Sequence, residues 1–138
     1  MKVLVIDDDT VFAEALLWRL KTEGYEVTYC ESVEDVLDGS GELRVPRPDC
    51  ILLDIMMPRG SRYSKHETEA GKRTGLKLLE DLQKKKLNIS IIVITVRNNL
   101  SLHELQEKYG DNIKVILVKP ATPTQVITEI KILFPQAS

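Results

Sequence analysis

Nowhere in the 138 residues does an uninterrupted apolar run approach the ~18 needed to cross a membrane, and the N-terminus lacks the basic and long apolar regions of a signal peptide. A cytoplasmic protein with no membrane partner is expected. An excess of charge of either sign is missing too. With a net charge of −2 and a pI near 5.7, the chain has no general electrostatic reason to bind nucleic acid directly. Cysteine is scarce. Cys30 is expected to end a second strand and Cys50 to begin a third, toward opposite edges of a parallel sheet. That is too far for an easy disulfide, so both are read as small core residues. Repeats, linkers and low-complexity tracts are also absent. A chain of 43% hydrophobic and 29% charged residues is ordinary for a globular protein, and this length buries enough surface for one domain over 1–138.

Five short runs rich in Val and Ile are present: Lys2 to Ile6, Glu26 to Cys30, Cys50 to Leu53, Ile91 to Thr95, and Val115 to Val118. Helical patterns lie between them. Thr10 is read as the cap of a helix carrying Val11, Ala15, Trp18 and Leu20 up to Gly24, with Trp18 a packing residue. Ser32 is read as the cap of a short helix with Val33, Val36 and Leu37, ended by Gly39 to Gly41. Thr74 precedes a helix with Leu76, Leu78, Leu79 and Leu82 that ends in Lys84 to Lys86, where lysines oppose the negative end of the dipole. Ser101 with Glu104 is read as a capping box before Leu102, Leu105 and Tyr109, with Gly110 as the stop. Thr122 and Pro123 open a last helix with Val126, Ile127, Ile130 and Leu133, which ends before Pro135.

Strands apolar throughout and alternating with helices imply a parallel sheet covered on both faces and reached by right-handed crossovers. The expected fold is α/β, a three-layer doubly wound (flavodoxin-like) arrangement of five strands in the order 2-1-3-4-5. A ligand then sits beyond the carboxyl ends of strands 1 and 3, where the order reverses. Those ends carry Asp7, Asp8 and Asp9 on one side and Asp54 on the other. Thr95 ends the fourth strand, and Lys119 with Pro120 follows the fifth.

Carboxylates converging within ~4 Å repel by about 4 kcal/mol per pair at an effective dielectric of 20, so they need protons or a cation. Oxygen-only ligands point to Mg²⁺, which keeps several waters and takes further ligands from phosphate oxygens. Phosphoryl transfer asks mainly for positioning and charge stabilisation, and a metal, a lysine and a hydroxyl supply these. On this reading Asp54 is the acceptor, Lys119 pairs with the carboxylate and then the phosphate, and Thr95 donates to a phosphoryl oxygen. Pro120 shapes the turn that aims the lysine, through a cis bond if one is present. Taken singly each residue has a plainer role: Asp9 as a helix cap, Thr95 as a strand-end threonine, Lys119 as a snorkelling lysine.

In these motifs the chain resembles the receiver domain of two-component response regulators over nearly its whole length. The matching residues are Asp7-Asp8, the run from Pro48-Asp49 to Asp54 with Met57-Pro58, Thr95, Lys119-Pro120, and Gly24 to Val27. The resemblance implies that Asp54 accepts phosphate from a sensor histidine kinase or a phosphotransfer protein. It also implies that Asp8 and Asp54 bind Mg²⁺ directly, Asp7 through water, and Met56 through its carbonyl. Thr95 and Lys119 would then bias the surface formed by the fourth family helix, fifth strand and fifth family helix, a population shift that regulates a downstream target protein or a homodimer. Such a domain is not an enzyme beyond its own phosphoryl transfer and slow dephosphorylation. No output domain is expected after the last helix, so the output is expected to reach a separate molecule unless the chain is a fragment of a longer regulator.

Three departures mark this chain. The aromatic residue that the family usually places three before the lysine is Ile116. Met56 and Arg97 occupy positions that modulate loss of the phosphoryl group, and a methionine cannot orient water. Gly75 follows Pro58 by 17 positions where the family has about four, leaving roughly thirteen extra residues within an inserted loop over 59–74. That segment carries a charge of +3 from Arg59, Arg62, Lys65, Lys72 and Arg73 against Glu67 and Glu69, and is expected to be a mobile, solvated loop, with His66 merely part of it. Two competing readings stand beside this one. The run Val5 to Val11 also resembles the first motif of haloacid-dehalogenase-type phosphatases, with Asp7 as nucleophile and Asp9 as acid/base, although the later acidic pair of that family is missing. A receiver-like binding module without phosphorylation is the other.

Overall fold

In the computed structural model, which describes residues 1–135, the strands are β1 (Lys2–Ile6), β2 (Glu26–Cys30), β3 (Cys50–Leu53), β4 (Ser90–Thr95) and β5 (Ile113–Val118). The helices are α1 (Thr10–Thr22), α2 (Val33–Val36), α3 (Lys65–Thr68), α4 (Thr74–Lys84), α5 (Leu102–Tyr109) and α6 (Pro123–Leu133). All strand pairs are parallel, in the order β2-β1-β3-β4-β5. The doubly wound sheet expected from the apolar runs is therefore present. β4 and β5 begin one and two residues earlier than the apolar runs suggested, at Ser90 and Ile113. The tail beyond Pro135 lies outside the described residues.

Two-residue alternation splits the core between the faces of the sheet. Leu4, Ile6, Ile51, Leu53, Ile91 and Val93 face one layer, closed by α2, α4 and α5. Val3, Val5, Leu52, Ile92 and Ile94 face the other, closed by Leu16 and Leu20 of α1 and by Val126, Ile127 and Ile130 of α6. The parallel strands read as continuous apolar runs because both layers demand apolar side chains. Cys30 and Cys50 are both buried and free, at opposite ends of two strands that flank β1.

Several local expectations are corrected. In α1 the buried stripe is Ala13, Leu16 and Leu20, whereas Val11 is 80% and Trp18 69% exposed. Residues 11, 15 and 18 do share one helical face, but the sheet covers the face a fraction of a turn away, so Trp18 is not a packing residue. The α1 cap is Asp9, whose Oδ1 accepts from the Phe12 N–H at 3.1 Å, and Thr10 is the first helical residue. Ser32 makes no side-chain cap bond. Ser101 accepts from the Glu104 N–H at 3.3 Å without a reciprocal bond, whereas Thr122 and Gln125 form a complete capping box.

The segment over 59–74 is built onto the domain, contrary to the mobile loop expected. It contains α3, held by reciprocal capping between Ser64 and Glu67, and Thr74 already belongs to α4. Tyr63 is 4% and Thr68 0% exposed. The Tyr63 hydroxyl donates to Asp81 Oδ2 at 2.7 Å and Arg62 Nε approaches the same oxygen at 3.1 Å, so the insertion is anchored on α4 by a buried aromatic ring and a shared carboxylate. Arg62 is paired with Asp81 and Arg73 with Glu69, while Arg59, Lys65 and Lys72 stay exposed to solvent. His66 sits exposed on α3, apart from the strand ends.

Candidate functional site

β1 and β3 are adjacent, and each ends in a carboxylate because the chain leaves the apolar sheet there. The Asp7 N–H bonds the Cys30 carbonyl at 3.1 Å and the Asp54 N–H the Ile6 carbonyl at 3.0 Å, extending the ladder by one step and fixing both residues side by side. Their side chains are nearly enclosed, with Asp7 2% and Asp54 5% exposed, while Asp8 faces solvent. One carboxylate oxygen from each of Asp7, Asp8 and Asp54 lies within 4.8 Å of the others. Such a donor set, hard oxygens with one open side, fits a small divalent cation that retains water.

Lys119 closes the cluster. Its Nζ stands 2.9 Å from Asp7 Oδ2, 3.4 Å from Asp54 Oδ2 and 3.8 Å from Asp9 Oδ2, with the side chain only 9% exposed. The Lys119–Pro120 bond is cis, and the Lys119 N–H bonds the Thr95 carbonyl at 2.8 Å, which joins the ends of β4 and β5. Asp54 Oδ1 accepts from the Met56 N–H at 3.1 Å, and the fully buried Thr95 hydroxyl is near enough to favour the ionised Asp54 carboxylate. Thr95 Oγ1 in turn accepts from the Arg97 N–H at 3.4 Å.

Burial dominates the electrostatics. It pushes the Asp7 carboxyl up to about 6, in spite of bonds from Lys119 and the Asp9 N–H, with the Asp54 charge adding to the rise. Asp54 is raised for the same main reason, against the pull of Lys119 and the Met56 N–H. For Lys119 burial acts downward, yet the bond to Asp7 and the charge of Asp54 prevail and hold the ammonium above its ordinary value. One ammonium therefore faces more negative charge than it neutralises, and the site has an unmet demand for positive charge.

Of the residues selected by sequence, Asp7, Asp8, Asp54, Thr95 and Lys119 converge. Met56 joins them through its N–H. Arg97 points elsewhere, its guanidinium reaching the Lys72 carbonyl of the insertion at 3.4 Å and Asn99 Oδ1 at 3.4 Å. Ile116 pairs with Val93 and packs on the α4/α5 layer, away from the cluster. Gly75 returns the chain after the insertion so closely that a Cβ there would lie 2.4 Å from the Asp54 carbonyl oxygen, and its N–H bonds the Ile55 carbonyl at 2.8 Å. Just before it, the buried Thr74 hydroxyl donates to the Met57 carbonyl at 2.6 Å.

Two contributors, Tyr29 and Phe12, escaped the sequence reading, and a third, Asp9, was read as a helix cap but not as a neighbour of Lys119. Tyr29 donates its hydroxyl to the Asp7 carbonyl at 2.7 Å, holding the acidic loop from the neighbouring strand. Asp9 serves as cap and as a Lys119 neighbour at once. Phe12 places its ring centroid 4.5 Å from Lys119 Nζ. The hydroxyl of an aromatic residue near a strand end hints at Tyr29, but no local signal marks Phe12, an apolar residue in the first turn of a helix.

Comparison with known proteins agrees with this arrangement. The family model for the response regulator receiver domain matches residues 3–131. Response regulator MprA of Mycobacterium avium is 31% identical over 73% of this chain and 37% of its own length. The alkaline phosphatase synthesis transcriptional regulatory protein PhoP of Bacillus subtilis is 25% identical over 94% of this chain and 47% of its own. The chain thus spans less than half the length of these curated relatives. Among solved structures, a Francisella response regulator receiver domain superposes with a TM-score of 0.72 at 24% identity, covering 99% of this chain and 98% of that one. A receiver domain protein from Methanospirillum hungatei gives 0.69 at 21%, covering 98% and 94%. At those identities the likeness speaks for the fold.

Proposed function

Because the chain belongs to the response regulator receiver domain family of two-component signalling, we propose that Asp54 is its phosphoacceptor, taking a phosphoryl group from the phosphohistidine of a sensor histidine kinase or phosphotransfer protein. The observation that carries this is the convergence of Lys119, Thr95 and the carboxylates of Asp7 and Asp8 on Asp54 at the switch point of the sheet. Such domains are signalling domains and not classical enzymes. The reading takes the 138 residues as one domain with 59–74 as its insertion.

Asp7, Asp8 and Asp54 would hold Mg²⁺ together with the Met56 carbonyl, and the raised carboxyls of Asp7 and Asp54 express the need for it. When bound, the ion neutralises charge between the carboxylates and the incoming phosphoryl oxygens. A carboxylate oxygen of Asp54 attacks phosphorus in line, the P–N bond to the donor histidine breaks, and the P–O bond forms. Lys119, already 3.4 Å from Asp54, shifts its ammonium to a phosphoryl oxygen, and the Thr95 hydroxyl donates to another. Movement of Thr95 pulls on the Arg97 N–H and so on the loop leading to α5. The α5, β5 and α6 face would relay that change to a downstream protein or a second copy, without an aromatic switch at Ile116.

The setting is proposed as cytoplasmic; among the described residues no helix is long and apolar enough to cross a membrane. Direct contact with nucleic acid is not part of this reading. A haloacid-dehalogenase-type reaction at Asp7 is set aside by the family match. The test is incubation with Mg²⁺ and acetyl phosphate followed by mass mapping. Acyl phosphate on Asp54, lost in Asp54→Asn, is expected. Modification at Asp7 would instead favour the phosphatase chemistry, and none at all a binding module that works by protein contact.

A further inference from the structure

We propose that Phe12 is a positioning residue for the Lys119 ammonium, its ring forming the uncharged wall against which the lysine is held while its anionic partners change. The inference rests on the reading of Asp54 as phosphoacceptor and adds a residue to that site.

The ring centroid lies 4.5 Å from Lys119 Nζ, inside the ~6 Å over which a ring face attracts a cation. Among the described residues no other aromatic ring approaches this lysine. The remaining sides of the ammonium are taken by Asp7, Asp54 and Asp9 at 2.9, 3.4 and 3.8 Å. The lysine is thus boxed by three carboxylates and one ring, with little access for water.

The ring is itself fixed from two directions. Its backbone N–H is held by Asp9 Oδ1 at 3.1 Å, and its side chain rests partly buried on the layer shared with α1 and α6. The other oxygen of Asp9 faces Lys119, so one helix cap sets both the ring and a carboxylate against the same ammonium. This coupling gives the cap a role beyond starting a helix.

The two kinds of partner differ in what competes for them. A cation on Asp7 and Asp54, or a phosphoryl group on Asp54, draws on two of the three carboxylates that hold the lysine. Nothing in the reaction competes for the face of the ring. Phe12 therefore keeps the ammonium within reach through the changeover and spares it the rotamer freedom that a long, flexible side chain would otherwise recover. Leucine, of similar bulk, would preserve packing but carries no ring quadrupole, whereas tyrosine keeps it.

The experiment compares the full chain with Phe12→Leu and Phe12→Tyr in two measurements. Proton NMR without phosphodonor should find the Lys119 ε-methylene protons shifted upfield by the ring in the parent and in Phe12→Tyr, and at ordinary positions in Phe12→Leu. With Mg²⁺ and acetyl phosphate, Phe12→Leu should be modified at Asp54 about 10-fold more slowly, and Phe12→Tyr within about 3-fold of the parent. Equal rates for parent and Phe12→Leu, or a Phe12→Tyr rate as low as that of Phe12→Leu, would overturn the role of the ring while leaving Asp54 the acceptor. Absence of Asp54 modification in the parent would overturn the phosphoacceptor reading itself, and this inference with it.

Discussion

Replacing Asp7 by asparagine should stabilise the protein in the absence of divalent ions. The side chain is 2% exposed, and burial raises its carboxyl from 3.8 to about 6 despite Lys119 at 2.9 Å. Each pKa unit corresponds to ~1.4 kcal/mol, so the ionised group opposes folding by roughly 3 kcal/mol at neutral pH. Asparagine keeps the oxygen that accepts from the Asp9 N–H but gives up the ion pair, leaving Lys119 with Asp54 and Asp9. A net gain of about 1–3 kcal/mol is expected. The pH dependence follows from the raised value: below ~4 the carboxyl is protonated in folded and unfolded chains alike, and the two proteins should be equally stable. As pH climbs from ~4 to ~6 the unfolded chain releases its proton before the folded one, so the parent loses stability relative to the variant, with the full difference reached above 6. Urea unfolding in EDTA at pH 4, 5, 6 and 7 measures this. Mg²⁺ should then stabilise the parent more than the variant. A variant less stable than the parent at pH 7, or a difference that does not vary with pH, would mean that Lys119 already satisfies Asp7 and that the demand for a cation is illusory.

Met56→Asn should shorten the lifetime of the phosphorylated state, because an amide can orient water where a thioether cannot; indistinguishable decay rates after donor removal would contradict this. Gly75→Ala forces a Cβ to 2.4 Å from the Asp54 carbonyl oxygen, a backbone atom with no room to yield, and should cost about 1–3 kcal/mol in urea unfolding while slowing phosphorylation of Asp54. An unchanged midpoint would show that the join between insertion and α4 is loose. Burial pushes Cys30 up to about 11 and Cys50 up to about 12, so neither should react with a thiol reagent at pH 8 until the chain unfolds, when both should. Above pH ~9 the unfolded thiols ionise first, and stability should fall with rising pH toward 11; rapid labelling of the native protein would refute the burial argument.

How far the sequence carried the reading depends on the range of the interaction concerned. Strand runs, their order and the residues at their ends were legible because a parallel sheet covered on both faces leaves an unbroken apolar signature that stops where the site begins. Thr122 was legible as a cap since capping is local chemistry. The face of α1 was not: Val11, Ala15 and Trp18 satisfy helical spacing as well as Ala13, Leu16 and Leu20, and only the approach of the sheet selects between the two stripes. The insertion was misjudged because its composition is polar while its attachment depends on Tyr63 and Arg62 meeting Asp81, a residue 18 or 19 positions away.

The order of the elements and the chemical types gathered at the strand ends are thus properties of the chain itself, since alternation, capping and apolar runs act over a few residues. Folding alone decided which partners those groups have. It set a phenyl ring beneath Lys119, a tyrosine hydroxyl against the Asp7 carbonyl and a glycine against the Asp54 backbone. Such contacts join segments far apart in sequence, and packing in three dimensions selects them where no short-range pattern does.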